Sequence, residues 1–128
     1  MKKYENFVKS LDILRSADFD RAEGDEIYRT GIIGQYSLTF ELAWKAMQAV
    51  LELHGAQTSG SPRECLQLGY QYYFIDDEAT WLLMLKKRNT STHIYNEDEV
   101  IETISLIRDK FIKAFEDLAQ TLKVKMEE

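Results

Sequence analysis

Apolar side chains recur every three or four positions along most of this chain, which is the spacing that gives a helix one apolar face. Within about residues 4–17 the apolar stripe comprises Tyr4, Phe7, Leu11 and Leu14. Within about residues 25–54 it comprises Tyr36, Phe40, Ala43, Met47 and Val50, with Trp44 and Leu51 beside it. Strand-like alternation is nearly absent, so the pattern predicts an all-α protein.

Glycine, proline and capping residues mark the ends of the first three predicted helices. Gly24 and its acidic neighbours interrupt the first period, and Gly55 predicts a C-terminal stop for the second helix. Gly31 and Gly34 weaken the early turns of that helix and leave room for a kink or a late start. The run from Ser61 to Glu64 is a capping box in which the serine is the N-cap, the proline is the first helical residue and the glutamate reaches back. It predicts a short third helix.

Two further capping positions precede the remaining apolar stripes. Asp76 or Asp77 can cap a fourth helix, and Asn96 with Glu99 repeats the capping pattern for a long fifth one. The fourth helix carries Trp81, Met84 and Leu85. The fifth carries Val100, Ile104, Ile107, Phe111, Phe115, Leu118 and Leu122.

These five segments predict one helical domain over residues 1–128. The chain is 45% hydrophobic and 30% charged, which is the balance of a protein that folds around its own core. Four segments can bury their stripes against one another, and short loops make sequential helices antiparallel. We therefore expect an up-and-down four-helix bundle with one additional short helix.

The composition also narrows the location and the partners. No apolar run approaches a membrane span and the N-terminal residues are polar, so we expect a cytoplasmic protein with no membrane contact. A net charge of -6 opposes attraction to phosphate backbones, so no DNA partner is expected. Local basic clusters remain, at residues 86–88 and at Arg21 with Arg29 if the fold gathers those two.

Arg88 is the polar residue whose position most demands a partner. It follows Trp81 by seven positions and Leu85 by three, so on a continuing helix it points toward the interior or a cleft. An unpaired buried guanidinium is costly, so Arg88 must meet an acid, a phosphate or a water-filled groove. His93 lies about 140° further around an ideal helix, so the two side chains converge only if the helix ends between them. The residues at 89–92 are Asn, Thr, Ser and Thr, which are typical of a fraying helix end.

Arg88 and His93 together suffice for metal-free RNA cleavage. The ribose 2′-OH would attack its own phosphate, His93 would move a proton and Arg88 would stabilise the developing charge. The alternative is that Arg88 pairs with a carboxylate such as Glu41 and that His93 is a capping or core residue. Spacing alone favours this alternative, because structural ion pairs are common.

The other chemical candidates predict neither a metal nor a cofactor. His54 stands at a predicted helix C-terminus, where it compensates the helix dipole. Cys65 is the single cysteine and is expected to be a small, partly buried apolar side chain. A nucleotidyltransferase would carry paired aspartates after a Gly-Ser pair, but Tyr72 and Phe74 stand at those positions, so the chain is not that enzyme. The aromatic residues at 70–74 favour core or a subunit interface.

Several stretches taken together resemble a known family. They are the run from Phe40 to Lys45, the run from Ser61 to Arg63, Trp81 with Met84, and Arg88, Asn89, His93 and Tyr95. This combination is similar to the nucleotidyltransferase substrate-binding protein family, a branch of the HEPN superfamily of small helical bundles.

The resemblance implies a homodimer that works beside a separately encoded minimal nucleotidyltransferase, in a pair often classed as toxin and antitoxin. In related proteins the arginine and histidine that correspond to Arg88 and His93 serve a metal-independent ribonuclease. Asn89 matches the polar residue that follows the arginine in that motif. In some related pairs the tyrosine that corresponds to Tyr95 receives AMP from the partner enzyme, which silences the toxin. We expect the binding cleft to be lined by Lys87, Glu41, Trp44, Lys45 and Trp81.

Three functions therefore stay open at the level of sequence. The leading one is a helical subunit that binds a minimal nucleotidyltransferase and presents Tyr95 or a bound nucleotide to it. The second is a ribonuclease toxin that uses His93 and Arg88. The third is a structural helical adaptor that needs none of these residues.

Overall fold

The computed structural model describes residues 1–91 and 96–128, without the side chains of residues 89–91. Its helices are α1 (Lys2–Arg15), α2 (Phe19–Ala22), α3 (Glu26–Leu53), α4 (Pro62–Gln71), α5 (Glu78–Ser91), α6 (Glu97–Leu106) and α7 (Ile112–Glu127). A π-helical segment, Ile107–Phe111, joins α6 to α7. No strand occurs in these ranges, and the predicted all-α bundle is confirmed.

Long-range contacts give the direction of each helix relative to α3. Ser10 bonds Thr39 while the amide of Asp18 bonds the hydroxyl of Tyr28, so α1 runs opposite to α3. Trp81 contacts Phe40, and the later residue Met84 contacts the earlier residue Tyr36, so α5 also runs opposite to α3. Contacts that pair Tyr36 with Phe111, and His54 with Lys125, show that the last helical stretch runs parallel to α3. The short α4 packs on α3 and α5 as the additional helix.

The core contains the stripes that the periodicity predicted. Phe7, Leu11 and Leu14 of α1 are buried, and so is every stripe residue named above for α3. The last stretch contributes Ile104, Ile107, Phe111, Phe115, Leu118 and Leu122. The aromatic rings contact one another at the centre, where Trp81 meets Phe115 edge-on with centroids 5.7 Å apart.

The predicted capping residues begin and end these helices. Asp77 is the residue that caps α5, because its carboxylate accepts the amide of Thr80 at 3.0 Å. Asn96 accepts the amide of Glu99 at 3.2 Å. At the end of α3, Gly55 has a φ of 88°, and its amide and the next one bond back to the carbonyls of residues 52 and 51. This bonding is a Schellman motif, which requires the left-handed conformation that glycine adopts without strain.

The predicted start of the second helix near residue 25 is confirmed, because α3 begins at Glu26 and runs without interruption past Gly31. Three details differ from the sequence expectations. The first is that α5 includes residues 89–91, which were expected to fray. The capping glutamate of α4, Glu64, accepts a hydrogen bond from the hydroxyl of Ser59 and not from the N-cap amide. Finally, the single-turn α2 and the π-helical segment were not predicted.

Candidate functional site

The side chain of Arg88 leaves the last turns of α5 and reaches the middle of α3. Its Nη1 donates to Oε2 of Glu41 at 2.8 Å, and its guanidinium lies 5.6 Å from the ring centroid of Phe40. The carboxylate and the aromatic face both favour the positive charge. These two contacts hold the arginine side chain in place. Because 25% of that side chain is exposed, it can still be reached from solvent. The Glu41 pair named as the alternative for Arg88 is therefore present.

Lys45 supplies a second cation to the same carboxylate. Its Nζ lies 3.4 Å from Oε1 of Glu41, one helical turn earlier on α3, and 5.8 Å from the ring centroid of Trp44. Glu41 thus bridges the charges of Arg88 and Lys45. Two cations around one anionic group form an arrangement that also suits a phosphate.

Lys87 faces a different helix from its neighbour. It is 7% exposed, and its Nζ lies 3.2 Å from Oε1 of Glu102 on α6. Lys86, by contrast, is exposed at the surface of α5. The basic run at residues 86–88 therefore does not form one continuous surface, although each of the three side chains has an interaction partner.

The two tryptophans expected in a binding cleft lie in the protein interior. Trp81 packs against Phe40 and Phe115, and Trp44 is almost fully buried beside α4. Within the described part of the chain, the buried Nε1 of Trp44 has no hydrogen-bond partner. Both rings are therefore packed in the core below the Arg88 site, and neither lines a surface that is open to solvent.

Three residues of the predicted site fall partly or wholly outside the described structure. Asn89 belongs to α5 by its backbone, but its side chain is not described. His93 and Tyr95 lie outside the described residues. Their roles therefore stay predictions from the sequence.

Tyr36 and Phe40 belong to the surroundings of Arg88 and were not identified as such from the sequence. Phe40 precedes Glu41 and places its ring beneath the guanidinium. Tyr36 lies one helical turn earlier and donates its hydroxyl to the carbonyl of Met84 at 2.5 Å. The apolar spacing showed that both face inward, but it could not reveal which helix they meet.

The other polar candidates have structural surroundings. Arg21 pairs with Asp25 and lies over the ring of Tyr28, whereas Arg29 donates to the carbonyls of residues 22 and 23. Both arginines thus hold α2 and its junction with α3. Cys65 is fully buried, where burial raises its pKa to about 12. His54 caps α3 and contacts the carbonyl of Lys125 at 2.8 Å.

Exposed aromatic residues mark a second surface. Tyr70, Tyr72 and Tyr73 are exposed at the end of α4, and only Phe74 of that run joins the core. Tyr73 is 87% exposed and has a φ of 63°.

Among the described residues, no group of three or more His, Cys, Asp or Glu side chains could hold a metal ion. No helix among them is both long enough and apolar enough to cross a bilayer.

Comparisons with known proteins give the chain its relatives. Residues 2–124 match the family model described as "Nucleotidyltransferase substrate binding protein like". A search of curated proteins finds no match. A solved structure from Thermus thermophilus superposes with a TM-score of 0.81 at 23% identity, covering 91% of this chain and 98% of its own.

A second solved structure, from Haemophilus influenzae, is described as revealing the fold of a substrate binding domain of a nucleotidyltransferase. It superposes with a TM-score of 0.69 at 17% identity and covers 95% of each chain. At these identities the two likenesses show the fold.

Proposed function

We infer the function of this chain from its family, because it belongs to the nucleotidyltransferase substrate binding protein like family. We propose that it is a HEPN-type helical subunit that binds a separately encoded minimal nucleotidyltransferase, in a toxin and antitoxin pair, and presents Tyr95 to it for AMP transfer. The observation that carries the proposal is the Arg88 site. In the sequence, Arg88 precedes His93 by five positions and Tyr95 by seven. The proposal places the pair in the cytoplasm, where ATP is available.

The Arg88 site offers a nucleotide the charge that the chain as a whole lacks. Arg88 and Lys45 bring two positive charges to the carboxylate of Glu41, in a chain whose net charge is -6. A phosphate that enters this cluster meets a guanidinium fork and an ammonium. Local charge of this kind attracts an anionic ligand without attracting nucleic acid to the whole surface.

The proposed transfer joins the phenolic oxygen of Tyr95 to the α-phosphorus of ATP. The bond between that phosphorus and the bridging oxygen of the β-phosphate breaks, pyrophosphate leaves, and the phenolic proton passes to a base. The partner enzyme supplies the catalytic groups for this step. Arg88 would hold the phosphate beside Tyr95.

Mass spectrometry of the intact protein tests this proposal. The protein is incubated with ATP, magnesium and the nucleotidyltransferase encoded beside it. We expect the mass of one AMP on the wild type and on the control Tyr73→Phe, which alters an exposed tyrosine of another surface. Tyr95→Phe should carry none. AMP retained on Tyr95→Phe would place the chemistry elsewhere, and no added mass on any form would leave a binding role.

A ribonuclease toxin is the second candidate, and the exposure of Arg88 favours it. The guanidinium is held by Glu41 with 25% of the side chain still open to solvent, so an RNA phosphate can reach it. Cleavage of RNA in the presence of a chelator would be lost in His93→Ala. The chain provides a matched control in His54→Ala, since His54 contacts a backbone carbonyl at the C-terminal end of α3. Equal cleavage by both variants, or none by the wild type, argues against this candidate.

The homodimer belongs to the same proposal, and the exposed tyrosines at the end of α4 support it as aromatic surface available to a partner. Sedimentation velocity across the micromolar range gives the oligomeric state. A monomer throughout that range would contradict the dimer.

A further inference from the structure

Helix α3 contacts α5 through two hydrogen bonds, one at Arg88 itself and one at Met84. The first is the pair between the Arg88 guanidinium and the carboxylate of Glu41. The second is a backbone contact, in which the hydroxyl of Tyr36 donates to the carbonyl of Met84 at 2.5 Å. In an α-helix, the carbonyl of Met84 also accepts the backbone amide of Arg88. Tyr36 therefore bonds the helical turn from which the Arg88 side chain departs.

The surroundings of Tyr36 make this contact rigid. Its side chain has no exposed surface, and its ring stacks on Phe111 with centroids 5.5 Å apart and planes 18° apart. Phe111 is the last residue of the π-helical segment. A π-helical turn inserts one extra residue into a helix and is frequently found near functional sites. Here it places Phe111 beneath the tyrosine ring.

The hydroxyl of Tyr36 remains a donor at any physiological pH. Burial raises the pKa of Tyr36 well above its ordinary value, while the nearby charge of Arg88 lowers it in opposition. The contact with Met84 therefore does not switch off as pH changes near neutrality.

We propose that Tyr36 is a positioning residue of the Arg88 site, which fixes the last turns of α5 through the Met84 carbonyl and links them to the π-helical segment through Phe111. The inference deepens the function proposed above, because phosphate recognition depends on where the guanidinium is held. A site must be held within about 0.5 Å of its productive geometry. Tyr36 acts on that geometry through the backbone of α5 and does not contact the ligand.

Tyr36→Phe is the variant that tests this role, since it keeps the stacked ring and removes only the donor. The chain offers a matched control in Thr39→Val. Thr39 is equally buried on α3, and its hydroxyl bonds Ser10 of α1 at 2.7 Å. Each variant loses one buried hydroxyl, but only Tyr36→Phe removes a hydrogen bond to α5.

Two readouts separate the positioning role from the proposed function. Hydrogen exchange of the amides at 85–91 should be up to about tenfold faster in Tyr36→Phe than in Thr39→Val, because one hydrogen bond to that helix is lost. AMP incorporation with the partner enzyme should fall about tenfold in Tyr36→Phe alone, as expected for a misplaced binding group.

Equal exchange at residues 85–91 in the two variants would overturn the positioning role, whatever the activity shows. Faster exchange in Tyr36→Phe with unchanged AMP incorporation would also overturn it, because the fixed turn would then not serve the site. If the wild type incorporates no AMP, the proposed function fails while the exchange comparison still decides whether Tyr36 fixes α5.

Discussion

The guanidinium of Arg88 and the carboxylate of Glu41 join two helices across 47 positions of the chain, with Nη1 2.8 Å from Oε2. Both side chains are partly exposed, so the pair gives little stability and mainly fixes orientation. Glu41 also occupies the donors that an anionic ligand would use. It therefore competes with a phosphate for Arg88.

Replacing this carboxylate should favour the ligand. We expect Glu41→Gln to lower the free energy of unfolding by less than about 1 kcal/mol. AMP should bind several-fold more tightly, because the negative charge of Glu41 no longer competes for Arg88 and Lys45. Titration calorimetry with AMP at low and moderate salt measures the effect. The matched control is Glu116→Gln, which removes one of the two carboxylates that pair with Arg15, at 2.8 Å in a different ion pair. Weaker AMP binding in Glu41→Gln would show that the carboxylate orients Arg88 more than it competes.

The cap of α5 makes its stability depend on pH. The hydroxyl and amide of Thr80 bond the carboxylate of Asp77 and hold its pKa below the ordinary value of 3.8. Because the pKa of Asp77 is lower in the folded state, the ionised cap stabilises the helix at pH values above the unfolded-state pKa. This stability is lost as the pH falls through the folded-state pKa.

We therefore expect Asp77→Ala to cost about 1 kcal/mol at neutral pH and progressively less in acid. Urea unfolding at neutral pH and well below the lowered pKa gives the comparison. Asp76→Ala is the control, because Asp77 is the residue whose carboxylate accepts the Thr80 amide. A difference between wild type and Asp77→Ala that persists in acid would assign the loss to something other than the ionised cap.

Local patterns predicted the helices because capping and amphipathic spacing act within one or two turns. They did not predict α2, a four-residue helix whose end is held by Arg29 from α3. The π-helical segment was also missed, because Ile107 and Phe111 keep an ordinary apolar spacing of four, and the stacking of Phe111 on Tyr36 is a contact with another helix. Both features depend on tertiary contacts.

The site divides in the same way. Arg88 was identified because an arginine on an apolar stripe needs a partner, and Glu41 was named as one. The contact between Lys87 and Glu102, and that between Tyr36 and Met84, could not be predicted, because each depends on how two helices cross. Helical spacing determines which face a residue occupies, and packing determines which helix it meets.

Cys65 should be unreactive in the folded protein. It is fully buried, burial raises its pKa to about 12, and its thiol lies 3.5 Å from the carbonyl of Trp44. Since the thiolate is the reactive form, alkylation requires unfolding. Pulsed labelling with iodoacetamide across a urea gradient, followed by mass spectrometry, should give a labelling midpoint equal to the unfolding midpoint. Labelling well below that midpoint would show that α4 opens locally.

The glycines of α3 and its C-terminus should respond oppositely to the same substitution. Gly55→Ala puts a Cβ on a residue with a φ of 88°, where non-glycine side chains are strained. We expect a loss of about 1 kcal/mol. Gly34→Ala lies inside α3 with nothing within 4 Å of the added Cβ, so the higher helix propensity of alanine should stabilise the protein by roughly 0.5–1 kcal/mol.

Chemical unfolding of the two variants beside the wild type measures both changes. The sign of each follows from backbone conformation, because neither new methyl group meets a neighbouring atom. A destabilised Gly34→Ala would mean that α3 departs from regular helical geometry at this position, as the sequence had left open. A neutral Gly55→Ala would mean that the Schellman turn relaxes to a right-handed conformation without losing its bonds to the carbonyls of Leu51 and Glu52.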